Sequence, residues 1–293
     1  MGSGILRALG DSTRALIFLV ISSVSNIILD ILFVVLLGKG IAGAAYATVL
    51  SELLSAILVI ISLQRLEVKM RLELKHPQID FLILRKIMKL GLPGAISSSI
   101  TSFSNTFMQK YINYFGTTCM AGWAIFSKFD QFAILPMHSL ASGATTFVAQ
   151  NYGAKKSERI RDGIKKSFIL NFSVISILSL LLIFQANFFA SLFSDDAEVI
   201  YFAERFIYLT APFFVLCGFS MLFSNVMRGF GIAFRPTIIT FVGFVLFRQI
   251  MLLIISQTSN SFTLIALVYP AAWPPVIIIY IIWLFIFRKK RIK

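Results

Sequence analysis

Two pairs of polar residues, Asn26 with Asp30 and Thr48 with Glu52, interrupt otherwise apolar runs at helical spacing. Each pair is four residues apart, so each occupies one face of a helix. The short link Gly38-Lys39-Gly40 joins the two runs, which must fold back on each other as a hairpin. Counted from that turn at 1.5 Å per residue, Asp30 falls level with Thr48 at ~10 Å depth and Asn26 level with Glu52 at ~16 Å. Two carboxylates, an amide oxygen and a hydroxyl at two depths suit a small hard cation or a proton. The same four residues also describe a hydrogen-bonded helix pair that holds no ion. Beside Thr48, the residues Gly43, Ala47, Ser51 and Ser55 form a small-residue stripe that permits close helix contact.

A second group of polar residues is Gln109, Asn113, Lys128, Asp130 and Arg248, again inside apolar runs. Lys128 and Asp130 are two apart and point to different sides, so Asp130 is expected to pair with Arg248. Gln109, Lys110 and Asn113 line the outer part of their run, where Lys110 can snorkel. Two readings fit this group: the charged lining of a central substrate cavity, or buried contacts that fix helix positions. Phe103, Phe107, Phe126, Phe129 and Phe132 flank it and offer ring faces to a flat cation. His138 is a lone histidine and reads as structural.

The elements that must hold these residues are long apolar helices. Eight stretches, residues 15–37, 41–63, 90–115, 118–149, 167–193, 199–227, 236–256 and 262–287, are each long enough to cross a hydrocarbon core about 30 Å thick. The chain is 58% hydrophobic with mean hydropathy +0.86. The apolar runs are continuous rather than alternating, which excludes barrel strands. The first is full length and contains Asp30, so it reads as a permanent span and not a cleaved signal. Alternate connections hold nearly all the basic residues: Arg7 and Arg14, seven from Arg65 to Lys89, six from Lys155 to Lys166, Arg228 and Arg235, and the tail from Arg288 to Lys293. The other connections hold Lys39 alone. Cytoplasmic loops are enriched in Lys and Arg, so both termini are expected in the cytoplasm and the protein in the plasma membrane.

That topology also accounts for the net charge of +14 without nucleic acid. Anionic lipid headgroups of the bilayer are the expected partner of the basic loops, with no obligate protein partner. Residues 155–166 read as an amphipathic, basic cytoplasmic segment, and Pro136 and Pro212 as hinge candidates. Cys119 and Cys217 form no disulfide framework and no metal spacing. No phosphate loop, zinc-protease or serine-hydrolase motif is present, so neither an enzyme nor a bound cofactor is expected, and transport would run on an ion gradient.

An internal repeat sets the organisation. Arg7-Ala-Leu-Gly10-Asp-Ser-Thr-Arg14 matches Arg228-Gly-Phe-Gly231-Ile-Ala-Phe-Arg235 at an offset of 221 residues, and each leads into a span. Transporters are commonly built from such repeats. The expected divisions are residues 1–64 as a two-helix remnant of one lobe, 65–89 as a cytoplasmic inter-lobe loop, and 90–293 as a six-helix lobe. At this offset a matching first lobe would require about four further spans before Met1, and the chain alone is expected to transport poorly.

Five segments carry a resemblance: Arg7-Ala-Leu-Gly-Asp-Ser, Asn26-Ile-Ile-Leu-Asp30, Gly40-Ile-Ala-Gly-Ala-Ala-Tyr-Ala-Thr48, Gly91-Leu-Pro93 and Gln150-Asn-Tyr-Gly-Ala154. In these, over nearly its whole length and in order, the chain resembles multidrug and toxic compound extrusion (MATE) transporters, specifically helices five to twelve of their twelve. The resemblance implies an all-α polytopic membrane protein of eight transmembrane helices, one complete six-helix lobe plus a two-helix remnant. It further implies a rocking antiporter that exports cationic, amphipathic drugs in exchange for sodium ions or protons. Asn26, Asp30 and Thr48 match the cation site of the family's first lobe, to which Glu52 is added from the residues alone. Thr101 stands where some sodium-coupled relatives carry a carboxylate. Two other outcomes stay open: a flippase for lipid-linked oligosaccharides, which shares the lobe architecture but calls for a strongly cationic cavity, and an inert membrane fragment.

Overall fold

A computed structural model describes residues 2–66, 79–259 and 261–291, with side chains to residue 283. Every described element is helical. The first unit, Met1–Asp80, holds α1 (Gly2–Ala8), α2 (Ser12–Asp30) and α3 (Gly40–Gln64). From α2 the chain continues without a break through a π-helical segment, Ile31–Leu36. The second unit, Phe81–Lys293, runs from α4 (Phe81–Asn113) through α5 (Thr117–Gly153), α6 (Ser157–Phe184) and the short α7 (Ala186–Ser191). It continues with α8 (Ala197–Thr210) and α9 (Phe214–Gly229), joined by a single 3-10 turn at Pro212. Next come α10 (Phe234–Thr240), a second π segment (Phe241–Phe247) and α11 (Arg248–Thr258), one continuous rod. The last pair is α12 (Phe262–Ala271) and α13 (Trp273–Arg291), separated where Pro274 and Pro275 withdraw two backbone donors.

Among the described residues, seven helical runs are long and apolar enough to cross a membrane. They correspond to seven of the eight expected spans. The eighth, α4, is 33 residues long but rich in Ser and Thr between Ser97 and Thr106. Ser98, Ser99, Thr101 and Thr106 each donate to the carbonyl four residues back. Those hydroxyl protons are therefore satisfied within the helix itself.

Two boundaries differ from the sequence expectation. The helix of the span expected from Ser167 begins earlier: after a turn at Lys155 and Lys156 the basic stretch forms the first turns of α6, with nothing between Lys166 and Ser167 to break the helix. Likewise α4 begins at Phe81, so part of the expected inter-lobe loop is helical, while residues 67–78 of that loop lie outside the described residues.

In the second unit α5 is the central helix. Its buried residues include Trp123, Phe126, Phe129, Asp130, Ala133, Met137 and Ala141, recurring every three or four positions. Trp123 packs edge-on against Phe206 and Tyr269, at centroid distances of 4.9 and 5.5 Å. A Cβ on Gly122 would sit 2.6 Å from the Phe202 Cβ, so only glycine lets α5 approach α8 this closely. Outside these cores many large apolar side chains are exposed, as a bilayer-embedded helix bundle requires.

The repeat is visible as geometry. Gly10 donates to the Arg7 carbonyl at 3.0 Å and Asp11 to Leu6 at 2.9 Å, while Gly231 donates to Arg228 at 2.9 Å and Ile232 to Met227 at 3.0 Å. Both are the Schellman helix ending, with the glycine left-handed at φ +94° and +79°. Lys155 occupies the same left-handed position after α5, at φ +57°, without being glycine. A side chain there costs about 1–2 kcal/mol. Gly231→Ala is therefore expected to lower the thermal midpoint of the purified protein in detergent, and Lys155→Gly to raise it.

Candidate functional site

The hairpin of α2 and α3 is held by small residues. Gly43, Ala47 and Ser51, three members of the expected stripe, are buried, and Ser55 is half-buried. Ser22 donates to the Ser51 carbonyl at 2.8 Å, and a Cβ on Gly43 would meet the Phe33 carbonyl oxygen at 2.9 Å. These two contacts set the eleven-residue step from Ser22 to Phe33 against the eight-residue step from Gly43 to Ser51. The pairing therefore differs from the one counted from the turn. Its cause is the π segment Ile31–Leu36, whose wider turns wind in more residues per unit of length. Asp30 consequently stays nearer the turn than α-helical spacing allows.

Asn26, Thr48 and Glu52 line one open groove of about 770 Å³, together with Ser22, Ser23 and Ser51. Thr48 donates its hydroxyl proton to the Ala44 carbonyl at 3.0 Å, and Ser51 donates to Thr48 at 2.9 Å. Those oxygens therefore turn lone pairs outward. With the Glu52 carboxylate and no basic residue in the lining, the groove presents oxygen acceptors of the kind a hard cation takes. Asp30 lies outside this lining, one helical turn from Asn26. Its Oδ1 and the Asn26 Nδ2 are both buried without a hydrogen-bond partner.

In the second unit the expected polar group separates into parts. Gln109 and Asn113 bond to each other along α4 at 2.7 Å, and Lys128 is exposed. Asp130 and Arg248 are both buried but do not form the direct ion pair expected. Tyr269 stands between them: its hydroxyl donates to Asp130 Oδ2 at 2.8 Å, and its carbonyl accepts from Arg248 Nη2 at 3.1 Å. Arg248 is 0% exposed and lies against the rings of Phe244 and Tyr269, at 4.7 and 4.8 Å from their centroids. Its Nη1 donates to Asn105 Oδ1 at 2.9 Å and to Ser104 Oγ at 3.2 Å. Ser104 in turn donates to the Phe244 carbonyl, inside the second π segment, at 2.5 Å.

Burial of a whole guanidinium has a physical reason here. Tyr269 lies in the last turn of α12, which ends at Ala271 ahead of Pro274, so its carbonyl lacks the helical partner it would otherwise have. Arg248 supplies both the missing donor and a positive charge at the negative end of that helix. Ser104, Asn105 and Tyr269 were not legible as members of this network. The one signal available was a tyrosine placed directly before a proline in an apolar span.

The MatE family profile matches residues 93–255. Over 304 aligned residues the chain is 27% identical to the probable multidrug resistance protein YoeA of Bacillus subtilis, covering 98% of this chain and 64% of that protein. It is 24% identical over 226 residues to the multidrug export protein MepA of Staphylococcus aureus, covering 77% and 50%. The chain thus spans about half to two thirds of the length of these curated relatives. A MOP superfamily transporter from Pyrococcus furiosus superposes with a TM-score of 0.89 at 24% identity, over 96% of this chain and 64% of that one. An outward-facing multidrug resistance MATE family transporter gives 0.87 at 23%, over 96% and 64%.

Proposed function

This chain belongs to the MatE family, and on that premise we propose that it serves a secondary antiporter that exports cationic, amphipathic drugs in exchange for sodium ions or protons. It is a multi-pass membrane protein and not an enzyme. The observation that carries the reading is the groove of the first unit, where Asn26, Thr48 and Glu52 meet with no basic residue in the lining. The names of the Bacillus and Staphylococcus relatives support the drug class. Accumulation of tetraphenylphosphonium in a pump-deficient host is the test. Cells making the chain joined to the part of the Bacillus relative that it does not cover are expected to accumulate less than vector controls, and cells making the chain alone to differ little from them. Accumulation equal to the control in cells making the joined protein ends the reading.

The proposed setting is the plasma membrane with both termini cytoplasmic, supported by the run of basic residues on one set of connections. Cysteines placed at Ser157 and Ser194, at opposite ends of the run from α6 to α7, are expected to react with a membrane-impermeant maleimide from opposite sides. Labelling of both from one side overturns this orientation.

A further inference from the structure

The second unit holds a partly open cavity of about 270 Å³ that none of Gln109, Asn113, Lys128, Asp130 or Arg248 lines. Ser102 and Asn105 of α4 form its polar side, and Tyr269, Trp273 and Tyr280 its aromatic side. Arg228, from the last turn of α9, is the one permanently charged residue in the lining, which contains no carboxylate. The carboxylate adjoining this wall, Asp130, lies outside the lining and is engaged by the Tyr269 hydroxyl.

Arg228 is not neutralised within the fold. Its Nε is buried without a hydrogen-bond partner, and the one ion pair among the described residues joins Arg14 to Asp11. The repeat supplies an internal control. Arg7, at the equivalent position of the same Schellman ending, directs its Nε to the Ser3 carbonyl at 3.2 Å. The Tyr280 hydroxyl is buried on the same wall, beside the Ser224 and Thr240 hydroxyls and near Arg228. A half-buried guanidinium in a lining without a carboxylate attracts an anion, and its planar fork fits a carboxylate bidentately.

We propose that this cavity binds a small amphipathic carboxylate, its oxygens on Arg228 and the Tyr280 hydroxyl and its apolar body against Tyr269 and Trp273. The volume lies near the small end of ligand pockets, which limits the ligand to one ring or a short chain. The site has the opposite polarity to the acidic groove of the first unit, and it can exist whether or not the chain exports cations.

The test is saturable binding of radiolabelled benzoate to the purified chain in detergent. Binding is expected to weaken at least tenfold in Arg228→Gln and less in Arg228→Lys, and excess tetraphenylphosphonium is expected not to displace it. Absence of saturable binding, equal binding by wild type and Arg228→Gln, or displacement by tetraphenylphosphonium overturns the proposal. If Arg228→Gln fails to fold, Ser102→Phe, which fills the cavity from an exposed position, must abolish binding in its place; retained binding then overturns the site.

Discussion

Arg248→Met is expected to destabilise the second unit by about 3–5 kcal/mol, because it removes one member of a buried charged network and leaves the rest in place. The Tyr269 carbonyl, Asn105 Oδ1 and Ser104 Oγ each lose a donor at once. Ser104 and the Tyr269 carbonyl have little access to water, since both residues are buried. Asp130 also loses its compensating charge across the Tyr269 ring. Asp130→Asn is expected to cost far less, about 1 kcal/mol, because an amide oxygen still accepts from the Tyr269 hydroxyl and every bond to Arg248 survives. Thermal melts of both variants in detergent, followed by size-exclusion chromatography, distinguish them. Equal midpoints for the two would show that Asp130, and not the broken end of α12, is what holds Arg248.

In Asp30→Asn, cation affinity is expected to fall at least tenfold, equivalent to about 1.4 kcal/mol, while thermal stability rises. Asp30 presents a buried carboxylate oxygen with no partner, on a helix of the hairpin proposed to take the coupling ion. A charge held in hydrocarbon costs on the order of 2.5–3.5 kcal/mol on insertion scales. A neutral amide removes that cost and with it the attraction for a cation. Opposite signs in the two readouts separate an ion site from a structural contact, since loss of a structural contact lowers both. The affinity is read from the sodium dependence of the thermal midpoint, as a ligand of the folded state stabilises it by mass action. Unchanged sodium and pH dependence in the variant would make the hairpin carboxylate structural.

Long-range order was the part of this fold most open to reading from residue types. Apolar run length fixed where helices lie, and the R-x-x-G-x-x-x-R repeat marked two places leading into spans, where the structure has matching helix endings. Gly43, Ala47 and Ser51 announced the close face of the hairpin, because small side chains have little other use at that spacing. Depth was harder. Counting residues assumes one rise per residue, and the π segment at Ile31–Leu36 breaks that assumption just where Asp30 and Asn26 had to be aligned. The Asp130 and Arg248 network was half legible for a similar reason. Charges advertise themselves, whereas the backbone carbonyl of Tyr269 that anchors Arg248 exists only because a helix ends there. The cavity beside Arg228 gave no composition signal, since hydroxyls of its polar lining such as Ser98 and Thr101 also satisfy their own helix.

The π segment at Phe241–Phe247 has a consequence for how this span tolerates changes in length. A wide turn is an α-helix carrying an extra residue, with both flanks kept in phase. Removing one residue inside it lets the turn relax to α geometry, and Arg248 still faces Tyr269. Removing one residue elsewhere between Phe234 and Thr258 swings everything beyond it by about 100° around the axis, since each residue occupies that arc. A deletion in Phe234–Thr240 would thus rotate Arg248 out of its partners and toward lipid. The span behaves like a shaft with one slip joint, and length variation among its relatives should gather at that joint.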